Sequence, residues 1–221
     1  MTKIANTPQT RYDYAASVLK ILAPDLHPRV VFDVGAGAAP MRARAEEVGL
    51  AWFGFDLHPG SSLVSKWDLS DPCPKRDEKA GLVLLMDVIE HLLNPGLALD
   101  HIDEVMAKGS FVVITTPNPR ASRSRLHALF TGFPACFTKD DLLTNHHVFP
   151  VWQHVLEHML TSRGFEIVEW CQLRGRHSIP RPGLELRYPL RLTKALACKL
   201  IETFDPTAAS IDYAVLARKK G

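Results

Sequence analysis

The sequence predicts an α/β protein built on a largely parallel sheet, and three observations predict it. The apolar run Val30 to Phe32 leads into Gly35 and Gly37 and then into a helix-like stretch opened by Pro40. A second run, Ala51 to Phe55, ends in Asp56, 21 residues after Gly35. That is the spacing of one strand–helix–strand unit. The run Leu82 to Met86 is apolar at every position, which suits a strand covered by helices on both faces.

Composition bounds the answer. A chain of 221 residues, 46% hydrophobic and 23% charged, can bury one substantial core. The formal charge of +2 is too small to demand a nucleic-acid partner. Cys73, Cys136, Cys171 and Cys198 form no Cys-x-x-Cys pair and read as reduced thiols in a cytoplasmic protein. No apolar run reaches the length of a membrane span, and the N-terminus lacks an apolar signal core.

In chain order, residues 1–10 are polar. Tyr12 to Leu22 is apolar at Tyr14, Val18, Leu19 and Leu22, a helical stripe that either lies over a ligand edge or packs in the core. Asp33 is expected to end the first strand. Gly35 and Gly37 let the backbone turn tightly and approach a ligand, and Pro40 suits the first turn of a helix running to about Val48. A strand, a glycine turn and a helix start make a cofactor cradle. Pro40 stands where a dinucleotide fingerprint wants Gly or Ala, and no Walker run is present. Asp56, at the tip of the second strand, can accept both hydroxyls of a ribose.

Leu63 to Trp67 reads as a third strand ending at Asp68, and Asp71 to Lys79 as a surface loop. Leu82 to Met86 ends at Asp87. Pro95 opens a helix with Leu99, Ile102 and Val105 or Met106 inward, closed by Lys108 and Gly109. Phe111 to Ile114 is the fifth strand, and Thr115 to Pro119 the loop at its tip. Arg120 to Asn145 shows no resolvable period. A helix follows with Val151, Trp152, Val155, Leu156, Met159 and Leu160 on one face. Gly164 caps it, and Phe165 to Trp170 is the sixth strand. Residues 171–200 hold seven basic residues against Glu185 alone, a local charge of +6. This excess either meets phosphate, an anionic membrane surface or an acidic partner, or is a solvated face. Leu192, Leu196 and Leu200 mark one apolar helix side, and Ile211 to Leu216 the last strand.

With these residues placed, the chain resembles class I S-adenosylmethionine-dependent methyltransferases. The resemblance rests on Asp33 to Gly37, Phe55 with Asp56, Trp67 to Leu69, Asp87 to Leu92 and Thr116 to Pro119, in the family's order and spacing. In pattern it is similar to small-molecule methyltransferases of the ubiquinone-biosynthesis type and those of polysaccharide clusters. It covers about Val30 to Trp170. It implies a Rossmann-like seven-stranded sheet, mostly parallel with the last strand antiparallel, and helices on both faces. The whole chain, 1–221, would be one domain, with 120–147 a substrate-side insertion and 171–210 a basic segment between the last two strands.

The resemblance also implies the cofactor, S-adenosylmethionine, and its contacts. Asp33 would hold the amino group of the methionine part, Gly35 and Gly37 the cradle, Asp56 the ribose and Asp68 the adenine amino group. Asp87 would close the set where sulfonium and substrate meet. Transfer from a sulfonium is a direct displacement, so a base matters only for an acceptor that must lose a proton. His91, His146 and His147 are the candidates, against helix-capping or surface roles. The magnesium constellation of catechol-type enzymes is not recognisable, and a metal-independent reaction is expected. The expected acceptor is a hydroxyl on a small molecule, sugar or glycan, with an anionic or phosphate-linked group met by Arg120, Arg123 and Arg125. Two alternatives remain. One is an RNA terminal 2′-O-methyltransferase with a metal site, for which Asp87, Glu90, His91 and His146 or His147 are on offer. The other is a non-enzymatic domain that binds S-adenosylmethionine.

Overall fold

The computed structural model describes residues 10–173 and 188–221. Seven strands form one sheet: β1 (Val30–Val34), β2 (Ala51–Asp56), β3 (Val64–Lys66), β4 (Ala80–Met86), β5 (Met106–Pro117), β6 (Phe165–Leu173) and β7 (Asp212–Lys219). Their order is β3-β2-β1-β4-β5-β7-β6. The pairs from β3 to β5 are parallel, and β7 runs antiparallel between β5 and β6. This is the seven-stranded, mostly parallel sheet with flanking helices that the sequence predicts.

Helices α1 (Arg11–Leu22), α2 (Arg42–Glu47), α3 (Pro95–Val105), α4 (Ser122–Thr131), α5 (Lys139–Thr144), α6 (Gln153–Thr161) and α7 (Tyr188–Phe204) complete the described fold. Strand periodicity splits the core into two layers. Val31, Leu82 and Leu84 pack with Tyr14, Val18 and Leu19 of α1 on one face. Phe32, Val83 and Leu85 pack with Leu99 and Ile102 of α3 and Leu156 of α6 on the other. All seven residues of β4 are therefore buried.

The structure departs from the sequence expectation in several details. Pro40 lies outside α2, which begins at Arg42 with Met41 as its N-cap. Thr115, Thr116 and Pro117 belong to β5 rather than to the loop after it, because they pair with Ala214, Tyr213 and Asp212 of β7. Asp33 lies inside β1 and is 1% exposed, because β1 extends to pair Val34 with Phe55 and Leu85 on its two sides. Helix α3 stops at Val105, and β5 starts at once with Met106 opposite Ala80, so Lys108 and Gly109 belong to the strand. Val151 and Trp152 precede α6, with Trp152 as its N-cap. Leu196 and Leu200 of α7 are exposed, while Cys198 is buried. The aperiodic stretch after Arg120 contains α4 and α5. Thr138 opens α5 with a capping box closed by Asp141. Of the basic stretch, Arg174, Arg176, Arg181 and Arg187 lie outside the described residues. No disulfide joins Cys73, Cys136, Cys171 or Cys198. Among the described residues no helix is long and apolar enough to cross a membrane.

Candidate functional site

The carboxyl ends of the parallel strands gather most of the polar groups that the sequence singles out. At the tips of β1 and β2 the main chain does the shaping. Gly35 has φ +83°, and a Cβ there would stand 2.3 Å from Val88 Cγ2. Its N–H and that of Ala36 donate to the Phe55 carbonyl at 2.8 and 3.0 Å. Gly37 has φ +50°, with open space where a Cβ would be. The Gly37 N–H donates to Asp56 Oδ2 at 2.9 Å, and the His58 N–H donates to Oδ1 at 2.8 Å. The glycine turn and the acidic tip of β2 thus form one unit. The adjoining Ala39 is also left-handed, φ +62°.

Asp33 sits beneath this turn. Trp52 Nε1 donates to its Oδ2 at 3.2 Å, and its Oδ1 is buried without a hydrogen-bond partner among the described residues. Burial pushes the carboxyl up to about 6, against the Trp52 bond and with help from Asp56. A cation placed here would pull it back. Asp68 lies on an exposed turn beyond β3. Its Oδ1 accepts the Ser70 N–H at 2.9 Å and the Ser70 hydroxyl at 2.6 Å, and these bonds hold its pKa below the usual range.

Asp87 follows β4 with φ +51°, a costly backbone for a residue with a Cβ and common at functional sites. Its Oδ1 accepts the Thr115 hydroxyl at 2.6 Å, and its Oδ2 pairs with the Arg11 guanidinium. Arg11 opens α1, whose buried face is Tyr14, Ala15, Val18 and Leu19. The helix therefore both packs in the core and reaches the strand tips.

Glu90 is fully buried in a short 3-10 turn, Ile89–His91. Its Oε2 accepts the Thr116 hydroxyl at 3.0 Å, while its Oε1 has no partner among the described residues. Burial first, then the charge of Asp87, push the carboxyl up to about 8. Thr115 and Thr116 point to opposite faces of β5, so neighbouring hydroxyls serve Asp87 and Glu90. The main-chain carbonyl of Glu90 accepts the N–H groups of Val148 and Phe149, both at 3.0 Å. This pins the segment after α5 against the 3-10 turn.

That segment brings the histidines in. His91 Nδ1 donates to the His146 carbonyl at 3.1 Å, and His147 Nδ1 donates to the Cys136 carbonyl at 2.7 Å. Each bond fixes a tautomer and leaves Nε2 with its lone pair. The two rings lie 4.9 Å apart, edge to face. Burial, reinforced by His147, lowers the pKa of His91. His146 has φ +57° and an exposed side chain. It reaches the cluster through its carbonyl. Glu90, His91 and His147 each offer a ligand-type atom within 4.8 Å of the others.

Two of the three arginines differ from expectation. Arg120 Nη2 donates to Asp205 Oδ2 at 3.0 Å, and Arg125 bonds the same oxygen. With the Ser122 hydroxyl on Glu202 at 2.9 Å, they latch α4 to the end of α7. Arg123 is exposed. Asn118, in the loop after β5, donates to the carbonyls of Thr207 and Ser210 and is a fastener too. Sequence reasoning did not single out Arg11, Thr115 and Thr116 for the site. The Thr115–Thr116 pair at a strand tip was the available signal; nothing in the sequence ties Arg11 to Asp87, 76 residues away.

A family profile described as "Methyltransferase domain" matches residues 7–170. No curated protein matches the chain significantly. Among solved structures, an S-adenosylmethionine-dependent methyltransferase from Archaeoglobus fulgidus is 20% identical, with a TM-score of 0.62 and 94% of each chain covered. Magnesium protoporphyrin IX methyltransferase from Synechocystis PCC 6803, with bound SAH, is 13% identical, with a TM-score of 0.58 over 95% of this chain and 82% of that one. An S-adenosylmethionine-dependent methyltransferase from Mesorhizobium loti is 15% identical, with a TM-score of 0.55 over 94% and 100%.

Proposed function

Because the chain belongs to the methyltransferase-domain family, whose profile spans residues 7–170, we propose that this S-adenosylmethionine-dependent methyltransferase acts on a hydroxyl of a small acceptor. A sugar or glycan hydroxyl fits that class. The carbon–sulfur bond of the sulfonium breaks as a carbon–oxygen bond forms, S-adenosylhomocysteine leaves, and the hydroxyl proton must go elsewhere. The observation that carries the reading is the Glu90–His91–His147 cluster beside Asp87, with both imidazoles turned to one tautomer by backbone carbonyls. An acceptor that had no proton to lose would need no such group.

In this reading Asp56 takes the ribose hydroxyls, Gly35 and Gly37 let the cofactor approach the main chain, and Asp68 meets the adenine amino group. Asp33 faces the ammonium of the methionine part. Asp87, held by Arg11 and Thr115, sets the floor below the sulfonium. His91 and His147 activate the acceptor, and His146 positions His91 through its carbonyl. Residues 120–147 form the acceptor-side cover. Arg120 and Arg125 are occupied by Asp205, so we place no anionic requirement on the acceptor. The small-molecule class is supported by the acceptor in the name of the Synechocystis relative. A terminal ribose hydroxyl of an RNA is a second reading. The same cluster favours it, and a formal charge of only +2 opposes it.

The test is transfer of an isotope-labelled methyl group from S-adenosylmethionine to panels of sugars, phenols, amines and carboxylic acids. A base-stable methyl ether is expected. A base-labile ester or an N-methyl product would overturn the hydroxyl reading.

A further inference from the structure

We propose that Glu90, His91 and His147 form a binding site for a borderline divalent cation of the zinc class, with three protein donors and open positions facing the acceptor. The inference deepens the reading of this cluster as the acceptor-activating group and rests on that reading for the ion's role. Occupancy itself is measured without any acceptor.

Three independent features support a ligand set. The first is proximity: one donor atom from each residue falls within 4.8 Å of the other two. Donors around a tetrahedral ion at 2.1 Å stand about 3.4 Å apart, so modest side-chain rotation closes the set. The second is the outer layer. Metal-bound histidines nearly always donate their other ring N–H to a carbonyl or carboxylate. Both rings here do so from Nδ1, His91 to the His146 carbonyl and His147 to the Cys136 carbonyl. The third is the carboxylate. Glu90 is 0% exposed, and its Oε1 is a buried oxygen with no hydrogen-bond partner among the described residues. Thr116 fixes the other oxygen. A cation satisfies the orphan oxygen that the protein leaves bare.

The neighbouring groups define the donor number. Asp87 is three residues before Glu90, but its carboxylate is engaged by Arg11 and Thr115. His146 has an exposed side chain and meets the cluster through its carbonyl. The set is therefore two imidazoles and one carboxylate, which suits a cation such as zinc or cobalt better than magnesium. A three-donor site keeps positions for substrate. An acceptor hydroxyl bound there is acidified, its proton passes to solvent, and its oxygen is held for in-line attack on the methyl group. Imidazoles that serve as ligands no longer serve as proton acceptors, so chelation separates the two modes.

The experiment uses the full chain, stripped with a chelator and titrated with cobalt(II) and zinc(II). We expect one ion per chain, with cobalt absorption of a low-coordinate nitrogen–oxygen site. His147→Ala and Glu90→Gln are expected to weaken binding at least tenfold, and His146→Ala and Asp87→Asn to leave it within about threefold. Thermal melting of each variant controls for folding. Binding that is undiminished in a folded His147→Ala, or absent from the parent chain, overturns the site. Weakening in Asp87→Asn equal to that in Glu90→Gln overturns the three-donor assignment. Methyl transfer unaffected by stripping, with S-adenosylhomocysteine still bound, removes the ion's role while the methyltransferase reading stands.

Discussion

The cofactor cradle and the acceptor cluster lie at the same edge of one sheet and are built in opposite ways. The cradle falls within residues 33–56 and is shaped by main chain: two left-handed glycines, paired N–H groups on the Phe55 carbonyl, and a carboxylate tied to the turn. The cluster joins residues 87–91, 115–116 and 136–149, and side chains shape it. A site made from one turn needs only local geometry. A site made from three segments depends on the packing that brings them together, so the two halves should fail separately.

The largest effect should fall on turnover. His147→Ala is expected to lower kcat by about 10²–10⁴-fold, the usual range for losing a group that manages a proton, with S-adenosylhomocysteine affinity nearly unchanged. Steady-state kinetics alongside calorimetry checks this. Asp56→Ala should do the reverse. It removes charge-assisted bonds worth about 1.5–3 kcal/mol each, so binding of S-adenosylhomocysteine should weaken about 100-fold or more by calorimetry. Equal binding would sink the ribose assignment.

Gly35→Ala sharpens the contrast from the stability side. The new methyl would meet Val88 in a backbone that favours glycine, and a cost of about 2–4 kcal/mol is expected from strain and overpacking together. Thermal melting reads it out.

Asp33 gives a pH test. Its folded pKa is raised to about 6 by burial, above the ordinary carboxylate value. Stability is therefore complete below the unfolded pKa near 3.8 and is lost as pH rises through 6, by at most about 3 kcal/mol. A bound ammonium reverses the preference. S-adenosylhomocysteine affinity should rise by up to about tenfold between pH 5 and 7, and Asp33→Asn should flatten that rise. The smallest effect is expected for Arg125→Ala. It breaks half of a partly exposed latch on Asp205 and should cost about 1 kcal/mol or less in denaturant unfolding.

The same contrast explains what was legible in the sequence. The strands, the cradle and the carboxylates at strand tips could be read because period, glycine and spacing are local signals. The run Leu82 to Met86 announced a central strand, and it is buried throughout. Asp33 could be named but not placed, since β1 lengthens only when both neighbours pair with it. His91 and His147 could be named as candidates. Their meeting depends on Val148 and Phe149 bonding the Glu90 carbonyl across the fold, and no spacing encodes that. Arg120 and Arg125 looked free to meet an anion because Asp205, 80 or more residues away, is invisible to local reading.

The central claim is that the cradle delivers the sulfonium methyl to the Glu90–His91–His147 cluster. A crystal structure with S-adenosylhomocysteine tests it directly. The account predicts ribose hydroxyls on Asp56, the amino group towards Asp33, and the sulfur facing a cavity bounded by Asp87, His91 and His147. A cofactor bound in the cradle with its sulfur walled off from His91 and His147 would contradict it.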